Sequence, residues 1–553
     1  MQAHDLLIRA EALYGPRPAI VDGALRYTYA AFGQRTRRLA TALRGLGLSG
    51  GDVVACLSAN THRMMEAAFA ASLAGLALAP VNTRLAAPEI EFILKDSGAR
   101  LLFVSRAFLP LVERIVRQVP ALRHVVVLDG LDRPGPDIAG SKIPGADIPG
   151  TDIPGTDIPG SDIPSWGGHG AWLDYETLIA ASYPWADAPA DWPAERMYLL
   201  CYTGGTTGRP KGVMLSQHNV LSNALHAIQM MELSGRDVWL HAAPMFHLAD
   251  LWACFSITAL GARHVFMERF NPGQALALIE AHGITATSIV PTMVMMLLED
   301  PALHTRKLTS LRRVLYGASP MPVAPLKAAI QRFGPILQQA YGQTESAPFL
   351  AHTPTTDLGF PATEAGLGRL ASCGQAVLGV DLRIERPLGG ACGPGEVGEI
   401  HARGPNVMLG YWRRPEETRA ALAEGWLRTG DLAYRDEEGY IFIVDRAKDV
   451  VISGGENIFS TEVENALYRH PAVLEAAVIG RPDERWGEAV HAAVVLRPGA
   501  SATADALIAH CQALIARYKC PRTVEFRAEL PKSGAGKILK AELRRAIRPH
   551  TGQ

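Results

Sequence analysis

Short apolar runs alternate with longer helix-like segments through the first 130 residues, and this alternation most limits the folds open to the chain. Asp52–Leu57 and Leu101–Val104 are rich in apolar and β-branched residues, as strands buried on both faces are. Met64–Leu73 and Glu89–Lys95 have the spacing of helices between them. A strand–helix–strand succession predicts parallel sheets with helices packed on their faces.

The same alternation returns over residues 196–400, where several strand-like runs end in conspicuous polar or glycine-containing loops. These runs end at His241, Val290, Tyr316 and Tyr341. In an open parallel sheet, the loops that follow the carboxyl ends of the strands form the ligand crevice. We therefore expect the ligands to bind at these loops.

The pattern changes after about residue 368, where short alternating runs predict a small β-rich subdomain. A compact α+β unit follows Asp445-Arg446. The predicted fold class is therefore α/β, with a large N-terminal domain of stacked βαβ sheets plus the small β subdomain. A small mobile α+β lid domain completes it. We place the N-terminal domain at 1–445, a hinge at 446–449 and the lid domain at 450–553.

Residues 135–165 repeat the unit Ile-Pro-Gly-x-Asp with a five-residue period. Proline blocks helix and ladder pairing, while glycine and aspartate favour turns. One isoleucine per unit cannot build a core. We expect an exposed, mobile insertion without a catalytic role.

Composition excludes several classes of function. The formal net charge is -1 with a pI near 7.0, which gives no electrostatic reason to expect nucleic-acid binding. The seven cysteines form no CxxC pair, so neither a zinc ribbon nor a disulfide scaffold is expected. The longest apolar stretch, Ala67–Ala79, is shorter than the roughly 18 residues of a membrane span. Because the first residues also lack a signal-peptide core, a cytoplasmic protein is expected.

The segment from Cys201 to His218 reads CYTGGTTGRPKGVMLSQH and concentrates glycine and threonine. Its glycines let backbone N–H groups approach an anion, its threonine hydroxyls can donate to phosphate oxygens, and Lys211 adds a positive charge. A strand is expected before the loop and a helix opened by Ser216 after it. The segment is not a Walker A loop, because Gly212 rather than serine or threonine follows Lys211. A flexible surface hairpin is the alternative.

Further motifs follow in order: PMFHLAD at 244–250, YGASPM at 316–321, YGQTE at 341–345, a GWLRTGD segment continuing to 464, and PKSGAGKILKAELR at 531–544. Together with the loop at 202–212, this ordered set resembles the AMP-forming acyl-CoA synthetases of the adenylate-forming superfamily, which also holds luciferases and peptide-synthetase adenylation domains. The resemblance covers nearly the whole chain, and the repeat at 135–165 is its main departure.

The resemblance implies a two-step reaction in which a carboxylate attacks the α-phosphate of ATP and CoA then takes the acyl group. ATP, Mg²⁺ and CoA are the implied cofactors and co-substrates, with Mg²⁺ at Thr203 and Glu345. It implies ATP binding by Thr203, Gly204, Gly205, Thr206, Thr207, Gly208, Lys211, Gly317, Ala318, Ser319, Tyr341, Gly342, Gln343, Thr344, Asp431, Arg446 and Lys537. Alone, Glu345 could be a solvated carboxylate at a helix start, and Asp431 a turn or N-cap residue.

Catalytic roles are implied for Lys537, His247, Thr344 and Glu345, a hinge at Lys448, and a CoA channel at Gly454 and Gly455. His247 is a candidate gate or wall of the acyl pocket, although a packed, hydrogen-bonded histidine explains it equally well. Asp250 departs from the small residue expected there, which leaves the shape and polarity of the pocket open. Apolar pocket candidates, with core packing as the alternative for each, are Met245, Trp252, Met293, Met295 and Met296.

The expected function is therefore activation of a hydrophobic carboxylic acid, either a medium- or long-chain fatty acid or an aryl acid. Transfer to a carrier-protein thiol and a non-catalytic nucleotide-binding scaffold are the alternatives. The expected partners are a small carboxylic acid, ATP and CoA, with no nucleic acid and no membrane span. Peripheral membrane contact and a homodimer are left open.

Overall fold

The computed structural model describes residues 1–130, 171–185, 192–203, 210–319, 321, 323–354, 369–533 and 538–547. The insertion predicted at 135–165 lies outside these ranges. Within them, no helix is long and apolar enough to cross a membrane.

The large N-terminal region alternates helices and strands. Its helices are α1 Ala3–Tyr14, α2 Tyr29–Gly45, α3 His62–Ala74, α4 Ala87–Ser97, α5 Leu109–Ile115, α6 Tyr175–Ala180, α7 Gln217–Met230, α8 Leu248–Leu260, α9 Pro272–His282, α10 Pro291–Glu299 and α11 Val323–Phe333. Its strands are β1 Pro18–Asp22, β2 Leu25–Thr28, β3 Val53–Leu57, β4 Ala77–Pro80, β5 Leu101–Val104, β6 His124–Val127, β7 Ala171–Asp174, β8 Met197–Thr203, β9 Lys211–Ser216, β10 Val238–His241, β11 Arg263–Phe266, β12 Ala286–Ile289, β13 Arg313–Gly317, β14 Leu337–Gly342, β15 Phe349–His352 and β16 Gln375–Ala376.

The rest of the chain is richer in antiparallel strands. The strands are β17 Asp381–Glu385, β18 Gly398–Arg403, β19 Gly410–Tyr411, β20 Leu422–Ala423, β21 Trp426–Arg435, β22 Ile441–Arg446, β23 Val451–Ser453, β24 Glu456–Ile458, β25 Val473–Asp483, β26 Gly487–Leu496 and β27 Thr523–Phe526. The helices are α12 Pro415–Ala421, α13 Ser460–Tyr468, α14 Ala504–Leu514 and α15 Lys540–Ile547.

Two sheets organise the N-terminal region. Sheet 1 has the order β16-β15-β14-β13-β12-β10-β11-β1-β2, and its run from β14 to β1 is parallel. Sheet 2 has the order β19-β9-β8-β4-β3-β5-β6-β7, and its run from β8 to β7 is parallel. The predicted α/β class and stacked βαβ sheets are confirmed.

The alternation of side chains along each strand explains how both faces of the sheets are buried. On β3, Val54 and Cys56 join a core shared by both sheets and by α1, α2, α3, α7 and α8. Val53, Ala55 and Leu57 point the other way and pack with residues of α4 and α5. Successive side chains of a strand face opposite sides, so a wholly apolar run is needed where helices cover both faces.

Two smaller sheets complete the fold. The β subdomain has the order β17-β18-β21-β20, with β22 also paired to β21, and the C-terminal unit has the order β24-β23-β26-β25, with β27 paired to β26. The C-terminal unit has its own apolar clusters, which include Val478, Val494 and Leu507. The C-terminal unit contacts the N-terminal region through an ion pair, in which Arg497 Nη1 lies 3.1 Å from Glu299 Oε1.

The structure differs from the sequence-based expectation after the glycine- and threonine-rich loop. A second strand, β9, follows the loop and pairs antiparallel with β8 from Thr203↔Lys211 to Met197↔Ser216. The predicted helix begins after it, and Ser216 caps the helix by accepting a hydrogen bond from the Asn219 backbone. The loop therefore joins two strands of a hairpin.

Candidate active site

Neighbouring parallel strands of sheet 1 bring the predicted ligand loops to one edge. Strand β10 ends at His241, β12 at Ile289, β13 at Gly317 and β14 at Gly342. All four strands run in the same direction. The loops that follow them therefore share the carboxyl edge of the sheet, where α/β folds place their ligands.

A polar network joins the end of β14 to the β subdomain. The carboxylate oxygen Oδ2 of Asp431 accepts hydrogen bonds from Tyr341 Oη at 2.9 Å and from Gln343 Nε2 at 2.7 Å. Gln343 Nε2 also donates to the backbone oxygen of Thr429 at 2.7 Å. Asp431 is only 4% exposed, and it is the common partner of the two motif side chains.

The other carboxylate oxygen of Asp431, Oδ1, pairs with Arg446, which strand pairing places opposite it. Asp431 on β21 lies opposite Arg446 on β22, and the distance from Arg446 Nε to Asp431 Oδ1 is 3.1 Å. Burial and the nearby Asp431 carboxylate raise the pKa of Tyr341 well above its ordinary value, so its hydroxyl stays protonated. The structure thus brings Tyr341, Gln343, Asp431 and Arg446 together.

Two glycines at this edge are required by close approach of the backbone. A side chain on Gly342 would place Cβ 1.7 Å from the carbonyl oxygen of Pro348, and one on Gly317 would place it 2.6 Å from that of Ala340. The family resemblance implies ATP binding by Gly342, and the fold adds a structural requirement for a glycine at this position. Ala318 has a φ of 67°, so the backbone turns sharply just after β13, and Ser319 follows in the same turn.

Tyr411 links two predicted phosphate-site residues, and the sequence argument missed it. Its hydroxyl lies 2.9 Å from Glu345 Oε1, and Lys211 Nζ lies 5.1 Å from the centre of its ring. Pairing of β19 with β9 puts Tyr411 beside the hairpin that carries Lys211. Thr344 begins the short 3-10 turn that contains Glu345. In the sequence, the tyrosine lies in an unremarked Gly-Tyr-Trp stretch far from either partner.

The hairpin itself is described only at its base. Thr203 ends β8 and pairs with Lys211 at the start of β9. Gly204, Gly205, Thr206, Thr207 and Gly208 lie outside the described residues.

The loop from Ala242 to Phe246 connects β10 to α8 and forms what we call the acid side of this edge, together with His247 at the start of α8. Among the residues that the structure describes, Nε2 of His247 has no hydrogen-bond partner. Burial, helped by the positive charge of Arg84, lowers the pKa of His247 to about 4. The imidazole is therefore neutral at neutral pH.

Asp250 and Trp252 lie on α8, which follows the acid side. Both are buried. The Asp250 carboxylate lies 2.7 Å from His241 Nδ1 and 3.0 Å from Trp239 Nε1. The Trp252 ring packs edge-on against Trp239 and Phe349 at 5.0 and 5.1 Å. These ring contacts account for the burial of Trp252, and a role in the acid pocket stays a prediction.

The methionines considered for the pocket differ in exposure. Met245 and Met293 are buried, Met295 is half-buried, and Met296 is 45% exposed on α10. An exposed methionine on the outer surface of a helix does not by itself form a pocket wall.

The predicted hinge and CoA-channel residues lie beyond β22. Burial and the neighbouring Arg446 lower the pKa of Lys448. Gly454 and Gly455 form the turn between β23 and β24 with φ values of 62° and 85°, which explains two consecutive glycines there. A Cβ on Gly454 would lie 2.7 Å from the Trp486 ring. Lys537 lies outside the described residues.

The donor set fits a magnesium ion that takes most of its ligands from phosphates. Within the described ranges, no group of three or more His, Cys, Asp or Glu side chains could hold a metal. Glu345 nevertheless presents a half-buried carboxylate with one oxygen bonded to Tyr411. A hard cation bound mainly by phosphate oxygens and water needs about one such carboxylate.

Comparisons with known proteins agree with this architecture over the whole length. The chain matches the family model of the AMP-binding enzyme over residues 8–412 and that of the AMP-binding enzyme C-terminal domain over residues 462–537. It is 36% identical to a feruloyl-CoA synthase of Amycolatopsis sp over 530 residues, which cover 95% of each chain. It is 34% identical to the fatty acid–[acyl-carrier-protein] ligase ScoC of Streptomyces coeruleorubidus over 537 residues, which cover 95% of this chain and 93% of the relative.

Solved structures give the same result. The anthranilate CoA ligase AuaEII, in complex with anthranoyl-AMP, superposes with a TM-score of 0.85 at 26% identity, covering 99% of this chain and 97% of that chain. The fold, the ordered motifs and the family models coincide. The chain therefore belongs to the AMP-binding enzyme family, within the adenylate-forming superfamily, and is an AMP-forming carboxylic acid–CoA ligase.

Proposed function

We propose that the protein activates a hydrophobic carboxylic acid, aryl or medium- to long-chain aliphatic, as acyl-AMP and then transfers the acyl group to free CoA. The observation that carries the choice of acid is the acid side of the cleft. Met245 and Phe246 are buried beside a neutral His247, so the loop brings no fixed charge to the acyl chain. A second carboxylate or an ammonium group on the substrate would find no partner in this loop.

The network of Tyr341, Gln343, Asp431 and Arg446, which we call the nucleotide side, supports the first step. Asp431, held by Tyr341 and Gln343, is proposed to accept hydrogen bonds from the ribose hydroxyls, and Arg446 to hold the ribose and phosphate. Lys211 and Thr203–Gly208 are proposed to bind the β- and γ-phosphates. Thr344 is proposed to donate to the α-phosphate, which gains charge as the carboxylate attacks.

Glu345 and Thr203 are the proposed protein partners of Mg²⁺, which when bound offsets the negative charge of the phosphates. Tyr411 is proposed to orient Glu345 by donating to one of its oxygens. The same ring lies under Lys211, so one residue would fix the metal-binding carboxylate and the phosphate-binding lysine together.

The C-terminal unit is proposed to supply Lys537 for adenylation and then to rotate about Lys448, which leaves 1–445 as the N-terminal domain and 450–553 as the lid domain. Arg84 Nη1 lies 3.5 Å from the backbone oxygen of Ser533. Because Arg84 also lies close enough to His247 to help lower its pKa, this contact supports the proposal that the segment before Lys537 reaches the acid side. We propose that this is the orientation used for adenylation, and that Gly454-Gly455 approach CoA after rotation.

The experiment is an acid panel with ATP, Mg²⁺ and CoA, containing a cinnamic acid, an arylacetic acid, octanoate and palmitate, with acetate and malonate as small controls. We expect AMP and acyl-CoA in equal amounts with at least one hydrophobic acid. Preference for malonate over every hydrophobic acid would contradict the proposal for the substrate, and release of ADP would contradict the reaction.

A carrier-protein thiol is the second candidate acceptor, since a carrier-protein ligase is among the relatives. The preferred acid should be tested with free CoA and with a phosphopantetheinylated carrier at equal thiol concentration. Efficient thioester formation on free CoA supports the first proposal. Transfer to the carrier with acyl-AMP accumulating in the presence of CoA would favour the second.

A further inference from the structure

A chain of buried polar side chains lies behind the acid side. Asp250 Oδ2 is 2.7 Å from His241 Nδ1, His241 Nε2 is 2.9 Å from His264 Nδ1, and His264 Nε2 is 3.1 Å from Thr258 Oγ1. All four residues have no exposed surface. We call Asp250, His241, His264 and Thr258 the buried clamp.

The hydrogen-bond roles in the buried clamp are mutually consistent. With a proton on Nδ1 of each ring, His241 donates to Asp250, His264 donates to His241, and Thr258 donates to His264. Burial lowers the pKa of His264 well below its ordinary value, which agrees with a neutral ring. The second Asp250 oxygen accepts from Trp239 at 3.0 Å. Every member therefore has a partner, as a buried polar group must.

The buried clamp fixes helix α8 at both ends. Asp250 lies in its first turn and Thr258 two turns later, roughly 12 Å along the axis at 1.5 Å per residue. His241 and His264 come from the neighbouring strands β10 and β11. Such a connection opposes both rotation and sliding of the helix on the sheet. Apolar residues of similar size could fill this space at equal or greater stability, so the polar chain calls for another explanation.

Hydrogen bonds from Asn60 hold the backbone of the loop 242–246 next to the buried clamp. Asn60 Nδ2 donates to the backbone oxygens of His241 at 3.1 Å and Ala243 at 2.8 Å, and Asn60 Oδ1 accepts from Met245 N at 2.8 Å. The loop therefore has its backbone held by Asn60 and its two flanking elements joined by the Asp250–His241 contact. His247 follows directly, at the N-terminus of α8.

We propose that the buried clamp positions the loop 242–246 and His247 for binding of the carboxylic acid, and so sets the KM for the acid without touching the substrate. The inference rests on the proposed function, because that function places the acid at this loop. Asp250 and Thr258 are positioning residues in this account, and the nucleotide side is independent of them.

The test uses acid-dependent ATP–pyrophosphate exchange with the full chain, the best acid of the panel, and the variants Asp250→Asn and Thr258→Val. The matched control is Ser256→Ala, because Ser256 is equally buried on α8 but bonds to the backbone of Ala224 and Trp252 outside the clamp. Thermal unfolding is measured for each variant.

We expect Asp250→Asn to raise the KM for the acid about tenfold and Thr258→Val about threefold, as loss of one buried hydrogen bond does, with the KM for ATP unchanged. Ser256→Ala should lower the Tm without changing either KM. An unchanged acid KM in Thr258→Val, or equal rises in the KM for both substrates, would overturn the proposal even if Asp250→Asn fails to fold. If the wild type catalyses pyrophosphate exchange and both clamp variants have wild-type KM values, the proposal for the clamp is rejected and the proposed function stands. If no acid supports exchange by the wild type, the proposed function is rejected, and the proposal for the clamp with it.

Discussion

The nucleotide side and the acid side of the cleft are held in place in different ways. On the nucleotide side, Asp431, which is proposed to hold the ribose, bonds directly to its neighbours Tyr341 and Gln343. On the acid side, the support lies one layer deeper, in Asp250 and Asn60. A substitution on the nucleotide side therefore alters substrate contacts directly. On the acid side, a substitution at a residue that does not contact the substrate can change the position of the loop 242–246.

The largest effect should come from removing the shared acceptor of the nucleotide side. Asp431→Ala leaves the Tyr341 and Gln343 donors without their buried partner, at about 1–3 kcal/mol each. We expect kcat/KM for ATP to fall roughly 100-fold or more in pyrophosphate exchange. Asp381→Ala is the control, since Asp381 is exposed in the same subdomain and pairs with Arg403. A loss below fivefold would show that the network is not needed for ATP binding.

The second effect separates the two half-reactions. Lys448→Pro should stiffen the proposed hinge, so that acyl-AMP still forms while thioester formation falls more than about tenfold. Lys537→Ala should do the reverse, retaining thioester formation from supplied acyl-AMP. Single-turnover assays of each half-reaction check both. If the two variants lose the same half-reaction, the two-orientation account is wrong for this protein.

A smaller effect is expected where the nucleotide side meets the metal. Tyr411→Phe keeps the ring beneath Lys211 but removes the hydroxyl that donates to Glu345, so the Mg²⁺ concentration for half-maximal activity should rise about fivefold. Tyr434→Phe is the control, because Tyr434 is half-buried and its ring stacks on Phe442. Binding of Mn²⁺ with ATP, followed by electron paramagnetic resonance, gives a readout apart from turnover. Unchanged metal binding would mean that Glu345 is oriented without Tyr411.

The smallest effect concerns the bridge between the two units. Glu299 and Arg497 are both substantially exposed, so Glu299→Arg should slow adenylation by no more than about fivefold. The exchanged double variant Glu299→Arg with Arg497→Glu should recover part of that loss. Equal adenylation rates for the single and double variants would show that this ion pair does not contribute to adenylation.

Most of the fold was predictable because its signals are local. The strand at Leu101–Val104 and the helices over Met64–Leu73 and Glu89–Lys95 form as predicted. Strand β9 was missed because Lys211–Ser216 is short and follows a loop that indicated a direct passage to a helix. Its pairing with β8 depends on contacts that the sequence does not display.

The candidate site was predictable where its residues stand in contiguous motifs. YGQTE at 341–345 and TGD at 429–431 could be recognised separately, but the bond from Tyr341 to Asp431 spans 90 positions. Tyr411, Asn60 and His264 were missed because their roles come from partners distant in the chain. Asp250 was noticed as unusual, and its meaning follows from His241 and Trp239, which the fold brings to it.

The most direct test of the division between the two sides compares Tyr341→Phe with Asp250→Asn in pyrophosphate exchange. The first removes a hydroxyl from the nucleotide side, and the second replaces the Asp250 carboxylate by an amide next to the acid side. We expect Tyr341→Phe to raise the KM for ATP several-fold, with the KM for the acid within about twofold of the wild type. We expect Asp250→Asn to raise the KM for the acid about tenfold, with the KM for ATP unchanged. Proportional changes in both KM values in both variants would contradict the account.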